Sequence, residues 1–176
     1  EFDGQQIETL SYENKEHLKK VAPEIYEQVK ESVFWESDPM MSKTMANFSG
    51  TVVRGDITFA HPDDAGMSSF ERIHEPLGDF GYWLIFEGNL KMERSMAVTD
   101  TSKVVVLGDL ETIGLSNLCG QLYVEGKTRV EGTLLFDSND GGFTKLDLAE
   151  PAGFIVTNAN AFSINLQSKY YFDPIF

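Results

Sequence analysis

In Val104-Val105-Val106-Leu107-Gly108-Asp109-Leu110, apolar side chains stand on both sides of a glycine. The same arrangement recurs around Gly55, Gly88 and Gly126. Two residues before these glycines stand Val53, Phe86, Val106 and Val124, and two residues after them stand Ile57, Leu90, Leu110 and Thr128. Four residues before stand Thr51, Leu84, Val104 and Leu122, and four residues after stand Phe59, Met92, Thr112 and Val130. This alternation predicts a short strand on each side of every glycine, with one buried face.

The spacing of the four glycines predicts a stacked β-solenoid. Gly88, Gly108 and Gly126 are 20 and 18 residues apart, whereas Gly55 and Gly88 are 33 apart, which is one period plus a loop insertion at residues 60–80. A repeat of about twenty residues cannot bury its inward side chains until the next copy covers it. We expect the glycines to allow sharp corners with a positive φ. An antiparallel sandwich, which also has short strands and Gly-rich turns, is the alternative.

We divide the chain into three parts of one domain: an N-terminal helical cap at 1–47, a β-helix at 48–167 and an aromatic tail at 168–176. In the first part, apolar residues recur at steps of three or four, which predicts an amphipathic helix. Pro23 predicts a break near Ala22 and a second helix running to about Phe34, because proline is tolerated in a first turn. We expect the helices to cover one end of the solenoid and the tail to cover the other or to dock on another chain.

Charge and composition limit the partners. The chain has 176 residues, 28 acidic and 14 basic side chains and a net charge of −14, and 41% of its residues are hydrophobic. This composition predicts a folded chain that repels nucleic acid and anionic lipid, so neither is an expected partner. The single cysteine, Cys119, cannot form an intramolecular disulfide and is predicted to be a small buried thiol in a reducing, cytoplasmic compartment. The first residue is Glu1 rather than Met, so removal of an N-terminal signal peptide stays an open alternative.

The sequence offers few catalytic groups. It lacks a Gly-x-Ser-x-Gly nucleophile elbow, a Walker-type phosphate loop and a helical His-Glu-x-x-His zinc motif. A metal site in the insertion is a minor alternative to solvated loop residues, with His61 near Asp63 and Asp64, and His74 between Glu71 and Glu75. We therefore predict a non-enzymatic protein with no catalytic residue, no metal and no cofactor. A polysaccharide-active β-helix enzyme is less favoured, because it needs more basic side chains to hold an anionic polymer.

A family resemblance adds to this prediction. The stretch around Gly108, Leu122-Tyr123-Val124-Glu125-Gly126, Val130-Glu131-Gly132 and the turn Ser138-Asn139-Asp140-Gly141-Gly142 resemble uncharacterised bacterial proteins with repeated Val-x-Gly-Asp-Leu units. Those proteins are predicted right-handed β-helices and are distantly similar to the bactofilins, which are polymer-forming cytoskeletal proteins. The resemblance covers residues 86–164 and implies a short right-handed parallel β-helix. A bactofilin-like protein would assemble by stacking its end coils, but the helical segment and the tail depart from that pattern.

Small acidic proteins of this kind also resemble the immunity proteins encoded beside polymorphic bacterial toxins. A rigid acidic surface is complementary to a basic partner, and toxins that attack nucleic acid need basic clefts. We therefore predict an immunity protein that binds a basic toxin domain as a monomer or dimer. A self-assembling bactofilin-like scaffold is the alternative. The predicted partner-binding residues lie in the insertion, where a merely solvated loop is the simpler interpretation: Asp63, Asp64, Glu71, Glu75 and Asp79.

Overall fold

The computed structural model describes residues 7–30, 50–59, 83–99, 103–118, 120–137, 143–150, 152–158, 163–165 and 171–172. These residues are mainly β, with two short helices, α1 (Lys15–Val21) and α2 (Pro23–Lys30). The strands are β1 (Thr9–Tyr12), β2 (Gly50–Val53), β3 (Ile57–Phe59), β4 (Trp83–Phe86), β5 (Leu90–Met92), β6 (Met96–Thr99), β7 (Lys103–Val106), β8 (Leu110–Thr112), β9 (Leu115–Leu118), β10 (Gln121–Val130), β11 (Thr133–Asp137), β12 (Phe143–Leu148), β13 (Phe154–Asn158), β14 (Ser163–Asn165) and β15 (Tyr171–Phe172).

The parallel strands form three columns. Column A contains β2, β4, β7, the start of β10, the start of β12 and β14. Column B contains β3, β5, β8, the end of β10 and the end of β12. Column C contains β6, β9, β11, β13 and β15. Strand β1 pairs antiparallel with β2 at the edge of column A. Successive repeats of the chain therefore add their strands to the same columns. The register is aligned from repeat to repeat, except for a shift of two residues between the start and the end of the β10–β12 pair.

The strand register confirms the alignment on glycine. Phe86 pairs with both Val53 and Val106, and Val106 pairs with Val124. Gly55, Gly88 and Gly108 each follow an aligned strand end, whereas Gly126 lies inside the continuous strand β10. The reason for glycine differs from the one expected from sequence. A Cβ on Gly108 would lie 2.6 Å from the carbonyl group of Gly88, so the close stacking of the corners excludes a side chain. Among the described glycines, a positive φ occurs at Gly55 alone, so the predicted conformational role is wrong for the other three.

One apolar core contains side chains from all three columns. Leu84 of column A, Phe59 of column B and Met96 of column C are buried members of it, as the alternation of apolar residues predicts. The rings of Phe59 and Phe86 meet edge to face, with centroids 6.4 Å apart. Three of the aligned positions depart from the apolar pattern, because Thr51, Thr112 and Thr128 are buried polar residues.

The helices pack against the outer face of column A. The predicted break is confirmed: α1 ends at Val21 and α2 begins at Pro23, while the predicted extension to Phe34 lies outside the described residues. A second apolar cluster joins the two helices to the outward side chains of the strands: Leu18, Ala22, Ile25 and Val29 with Val52, Trp83, Ile85, Val105 and Tyr123. The predicted helical cap over one end is not what these residues form. The edge of β2 is paired by β1 instead, and the helices cover a side.

The structure tests only some of the predictions for the later strands, the tail and the loops. The later strands predicted near Gly132 and Gly153 are present as β11 and β13. The predicted tail contributes β15 to column C, and its other residues lie outside the described ones. The insertion at 60–80, the turn at 138–142 and Cys119 also lie outside them. No helix in the described part of the chain is long and apolar enough to cross a membrane.

Candidate functional site

The five carboxylates predicted to bind a partner all lie in the insertion at 60–80, outside the described residues, as do His61 and His74. The structure fixes where this insertion leaves and rejoins the sheets. The chain leaves column B after Phe59 and resumes at Trp83 in column A. In the next repeat, the chain between Met92 and Lys103 contributes strand β6 to column C. In chain order, the insertion of the first repeat therefore falls where the later repeats have their column C strand.

The outer face of column B carries ion pairs that run along the stacking direction. Lys91, Glu111 and Arg129 are register partners, so their charges alternate in sign from strand to strand. Lys91 Nζ lies 2.8 Å from Glu111, and Arg129 lies 2.7 Å from Glu150. The hydrogen bond to Glu111 raises the pKa of Lys91, which favours its charged form. A face whose charges neutralise one another offers little net charge to a partner.

A second polar cluster joins Tyr123, Glu125 and Lys145. Lys145 Nζ donates to the Tyr123 hydroxyl at 2.9 Å, lies 3.2 Å from Glu125 and stands 4.4 Å from the centre of the Tyr123 ring. The Tyr123 hydroxyl donates to the Glu125 carboxylate. Burial raises the pKa of Tyr123, and donation from Tyr123 lowers the pKa of Glu125. Burial opposes the charge on Lys145, but its hydrogen bonds to Tyr123 and Glu125 outweigh burial and raise its pKa. Glu125 and Lys145 therefore stay charged near neutral pH while the Tyr123 hydroxyl stays neutral, and the three side chains link two repeats.

The corner between columns B and C contains a groove. Three residues separate Met92 from Met96, and three separate Val130 from Leu134, but only two separate Thr112 from Leu115. The middle corner is shorter than its two neighbours, so it is recessed between them. The resulting cavity has a volume of about 420 Å³ and is lined by Ser95, Ile113, Gly114, Leu115, Ser116, Gly132, Thr133 and Leu135. We call this cavity the corner groove.

Hydrogen bonds hold the corner groove in shape. The buried Thr112 hydroxyl lies 2.8 Å from the carbonyl oxygen of Arg94 and 2.9 Å from that of Gly114, so its single proton is shared between them. The backbone N–H of Gly132 donates to the carbonyl of Ile113 at 2.7 Å. A Cβ on Gly114 would lie 2.6 Å from Ser95 Oγ, so glycine keeps the floor open. Thr112 thus departs from the apolar pattern because it anchors a corner.

The corner groove can bind an apolar side chain beside a positive charge. Ile113 is 46% exposed at its centre, although large aliphatic side chains are usually buried. Glu93 and Glu131 are exposed on the two flanking corners, and Arg94 is partly exposed. In the described part of the chain, no three His, Cys, Asp or Glu side chains are grouped to hold a metal ion.

The prediction from sequence did not find this groove. The signal for it is the two-residue difference between the 20-residue and 18-residue spacings of the glycines. One of these residues is missing from this corner, and the other from the connection between columns C and A. Comparison with protein-family models, curated proteins and solved structures finds no match to this chain. The resemblance to bactofilins and to immunity proteins therefore stays a prediction.

Proposed function

We propose that this chain is a non-enzymatic immunity protein that neutralises a cognate bacterial toxin by direct contact in the cytoplasm. The observation that carries this proposal is the distribution of charge. The described residues include 15 acidic and 11 basic side chains, whereas the remaining segments include 13 acidic and 3 basic ones. The net charge therefore comes mainly from segments outside the strands and helices described above. The insertion contributes most, with five acidic residues and Arg72 as its basic one.

The frame and the insertion would have different roles in such a protein. In the described part of the chain, 8 of the 15 acidic side chains form ion pairs, as the row of ion pairs on column B illustrates. The insertion has too few basic residues to neutralise its own carboxylates, so its field is available to a partner. A negative field accelerates encounter with a basic protein and disfavours acidic ones. The basic cleft of a toxin that binds nucleic acid is a surface of that kind.

We also propose that the three columns are the faces of a short right-handed parallel β-helix. Three features support this: parallel pairing in every column, a register that advances by one repeat, and one core shared by all columns. The right hand follows the general preference of parallel crossover connections. In this proposal, α1 and α2 cover the side formed by column A.

The proposal is tested by co-expressing the protein with the product of the neighbouring gene. We expect a stoichiometric complex by size-exclusion chromatography with light scattering, and inhibition of the toxin activity. Asp63→Lys with Asp64→Lys should weaken the complex by about tenfold or more. Glu13→Lys with Glu16→Lys is the matched control, because it changes the net charge equally on an exposed helix start. No complex, or equal losses from both pairs, would contradict the proposal.

A further inference from the structure

We propose that the corner groove binds a protein segment in which an aliphatic or aromatic side chain is flanked by lysine or arginine. This inference rests on the proposed function, because it takes the partner to be a basic protein. It adds a second contact surface, built from described residues and separate from the insertion. Three observations carry it: the recess, the exposed Ile113 and the charges on the flanking corners.

The recess is a property of the backbone rather than of one side chain. The corners at 93–95 and 131–133 are each one residue longer than the corner formed by Ile113 and Gly114. Because Gly114 has no side chain and Thr112 fixes the carbonyls on both sides, the groove exists before a ligand binds. Such a preformed apolar groove requires little rearrangement on binding.

The flanking charges select the partner. Glu93 and Glu131 stand in the corner row of Ile113, one repeat to either side. Neither lies within ion-pair distance of a basic side chain among the described residues, but both help Glu111 to raise the pKa of Lys91, so Lys91 offsets part of their charge. Glu111, on column B, differs because it is paired with both Lys91 and Arg129. The flanking corners together carry two carboxylates against the single guanidinium of Arg94. A second copy of this chain has a net charge of −14 and is repelled, so a basic segment is the favoured occupant.

Geometry sets the spacing of the ligand. Neighbouring strands in a sheet are about 4.8 Å apart, so each flanking carboxylate lies within reach of a lysine beside an apolar side chain in the groove. In an extended peptide, residues i and i+2 share one face and are about 7 Å apart. The sequence Lys-Ala-Leu-Ala-Lys therefore presents one apolar and two cationic side chains to the same surface.

The test is a titration of the isotopically labelled full chain with this peptide, blocked at both ends and followed by NMR. We expect saturable shifts of the backbone amides of Ile113, Gly114 and Gly132. The peptides Glu-Ala-Leu-Ala-Glu and Lys-Ala-Ala-Ala-Lys should each bind about tenfold more weakly. Equal binding of the acidic peptide, or shifts spread over other acidic surfaces, would overturn the proposal. Shifts of the same amides with protein concentration alone would assign the groove to a second copy and also overturn it.

Matched variants make the result specific. Ile113→Asp should weaken peptide binding about tenfold. Leu118→Asp should leave it unchanged, although Leu118, at the end of β9, is also an exposed aliphatic side chain with 39% of its surface accessible. Glu93→Lys with Glu131→Lys should abolish the preference for the cationic peptide, and Glu13→Lys with Glu16→Lys should keep it. If Ile113→Asp does not fold, Ile113→Ser replaces it. Unchanged binding by a folded groove variant would overturn the proposal.

The two proposals fail in different ways. A toxin complex that forms normally with the groove variants would contradict the groove and leave the immunity function standing. Peptide binding at Ile113 without any complex with the neighbouring gene product would contradict the immunity function and leave the groove standing.

Discussion

Gly108 and Gly55 occupy equivalent positions in the third and first repeats but are constrained by different forces. At Gly108, a Cβ would lie 2.6 Å from the backbone of Gly88, which cannot rotate away. At Gly55, nothing lies within 4 Å of an added Cβ, but φ is +79°. Sterics between repeats therefore exclude a side chain at Gly108, whereas backbone strain disfavours one at Gly55.

These two causes predict different effects of substitution. Gly108→Ala should lower the free energy of unfolding by about 3 kcal/mol, because the clash is with rigid backbone. Gly55→Ala should cost about 1 kcal/mol, and Gly55→Asn less, because asparagine tolerates a positive φ. Urea unfolding of the three variants measures the order. A Gly108→Ala protein as stable as the wild type would show that the corners can separate, contrary to this packing.

At the level of single residues, the sequence predicts the alignment of the repeats well, but it predicts poorly the positions that depart from the repeat, such as Thr112. The glycine alignment gave the correct register, because each repeat must bury the same alternate side chains. The role of Thr112 was not predictable, since it depends on two carbonyl groups, those of Arg94 and Gly114, that only the stacked corners bring together. The corner groove was missed for the same reason.

At the scale of elements, Arg54 joins the N-terminal segment to the sheets. Its guanidinium lies 2.7 Å from Glu24 of α2, 3.7 Å from Glu8 beside β1 and 3.6 Å from Glu87 after β4. Its side chain is 25% exposed. These carboxylates raise the pKa of Arg54, with Glu24 acting most strongly through a hydrogen bond. One side chain therefore connects a helix, the edge strand and a corner.

Arg54→Ala should loosen α2 more than the sheets. Partly exposed ion pairs stabilise by up to about 1 kcal/mol, so hydrogen exchange in α2 should become about fivefold faster. Arg129→Ala is the control, because it also removes ion pairs but belongs to column B. Hydrogen exchange by mass spectrometry measures both variants. Equal effects on α2 would mean that Arg54 does not hold the helix.

The stabilisation of α2 by the contact between Arg54 and Glu24 should depend on pH. A hydrogen bond from its own backbone N–H, followed by the bond from Arg54, lowers the pKa of Glu24 below its usual value. A carboxylate with a depressed folded pKa stabilises the fold above its unfolded value, and this contribution is lost as pH falls through the folded value. Exchange in α2 should therefore accelerate below about pH 4.5, and Arg54→Ala should make this dependence weaker.

The placement of the helices could not be predicted from their own residues. The spacing of Leu18, Ile25 and Val29 identifies a buried face but not the surface that buries it. That surface is the outward row of column A, where Val52, Ile85 and Val105 are apolar on the side that would otherwise face water. A row of outward apolar residues in adjacent repeats was the available signal.

At the scale of the whole molecule, the edge strands bear on self-association. A bactofilin-like filament requires both ends of the column stack to accept another copy in the same direction. Strand β1 pairs antiparallel with β2 along four residues and so occupies the first edge of column A. An antiparallel strand interrupts a parallel column, which is one way that proteins protect edges.

We therefore expect a discrete species of one or two chains rather than a filament. Light scattering after size exclusion should give a mass independent of loading concentration, because an occupied end stops head-to-tail growth. Deletion of residues 1–12 removes β1 and should produce larger, concentration-dependent species by exposing the edge of β2. Arg54→Ala, which loosens α2 but keeps β1, is the control. A wild-type mass that rises with concentration would favour the scaffold, because it would mean that β1 does not terminate the stack.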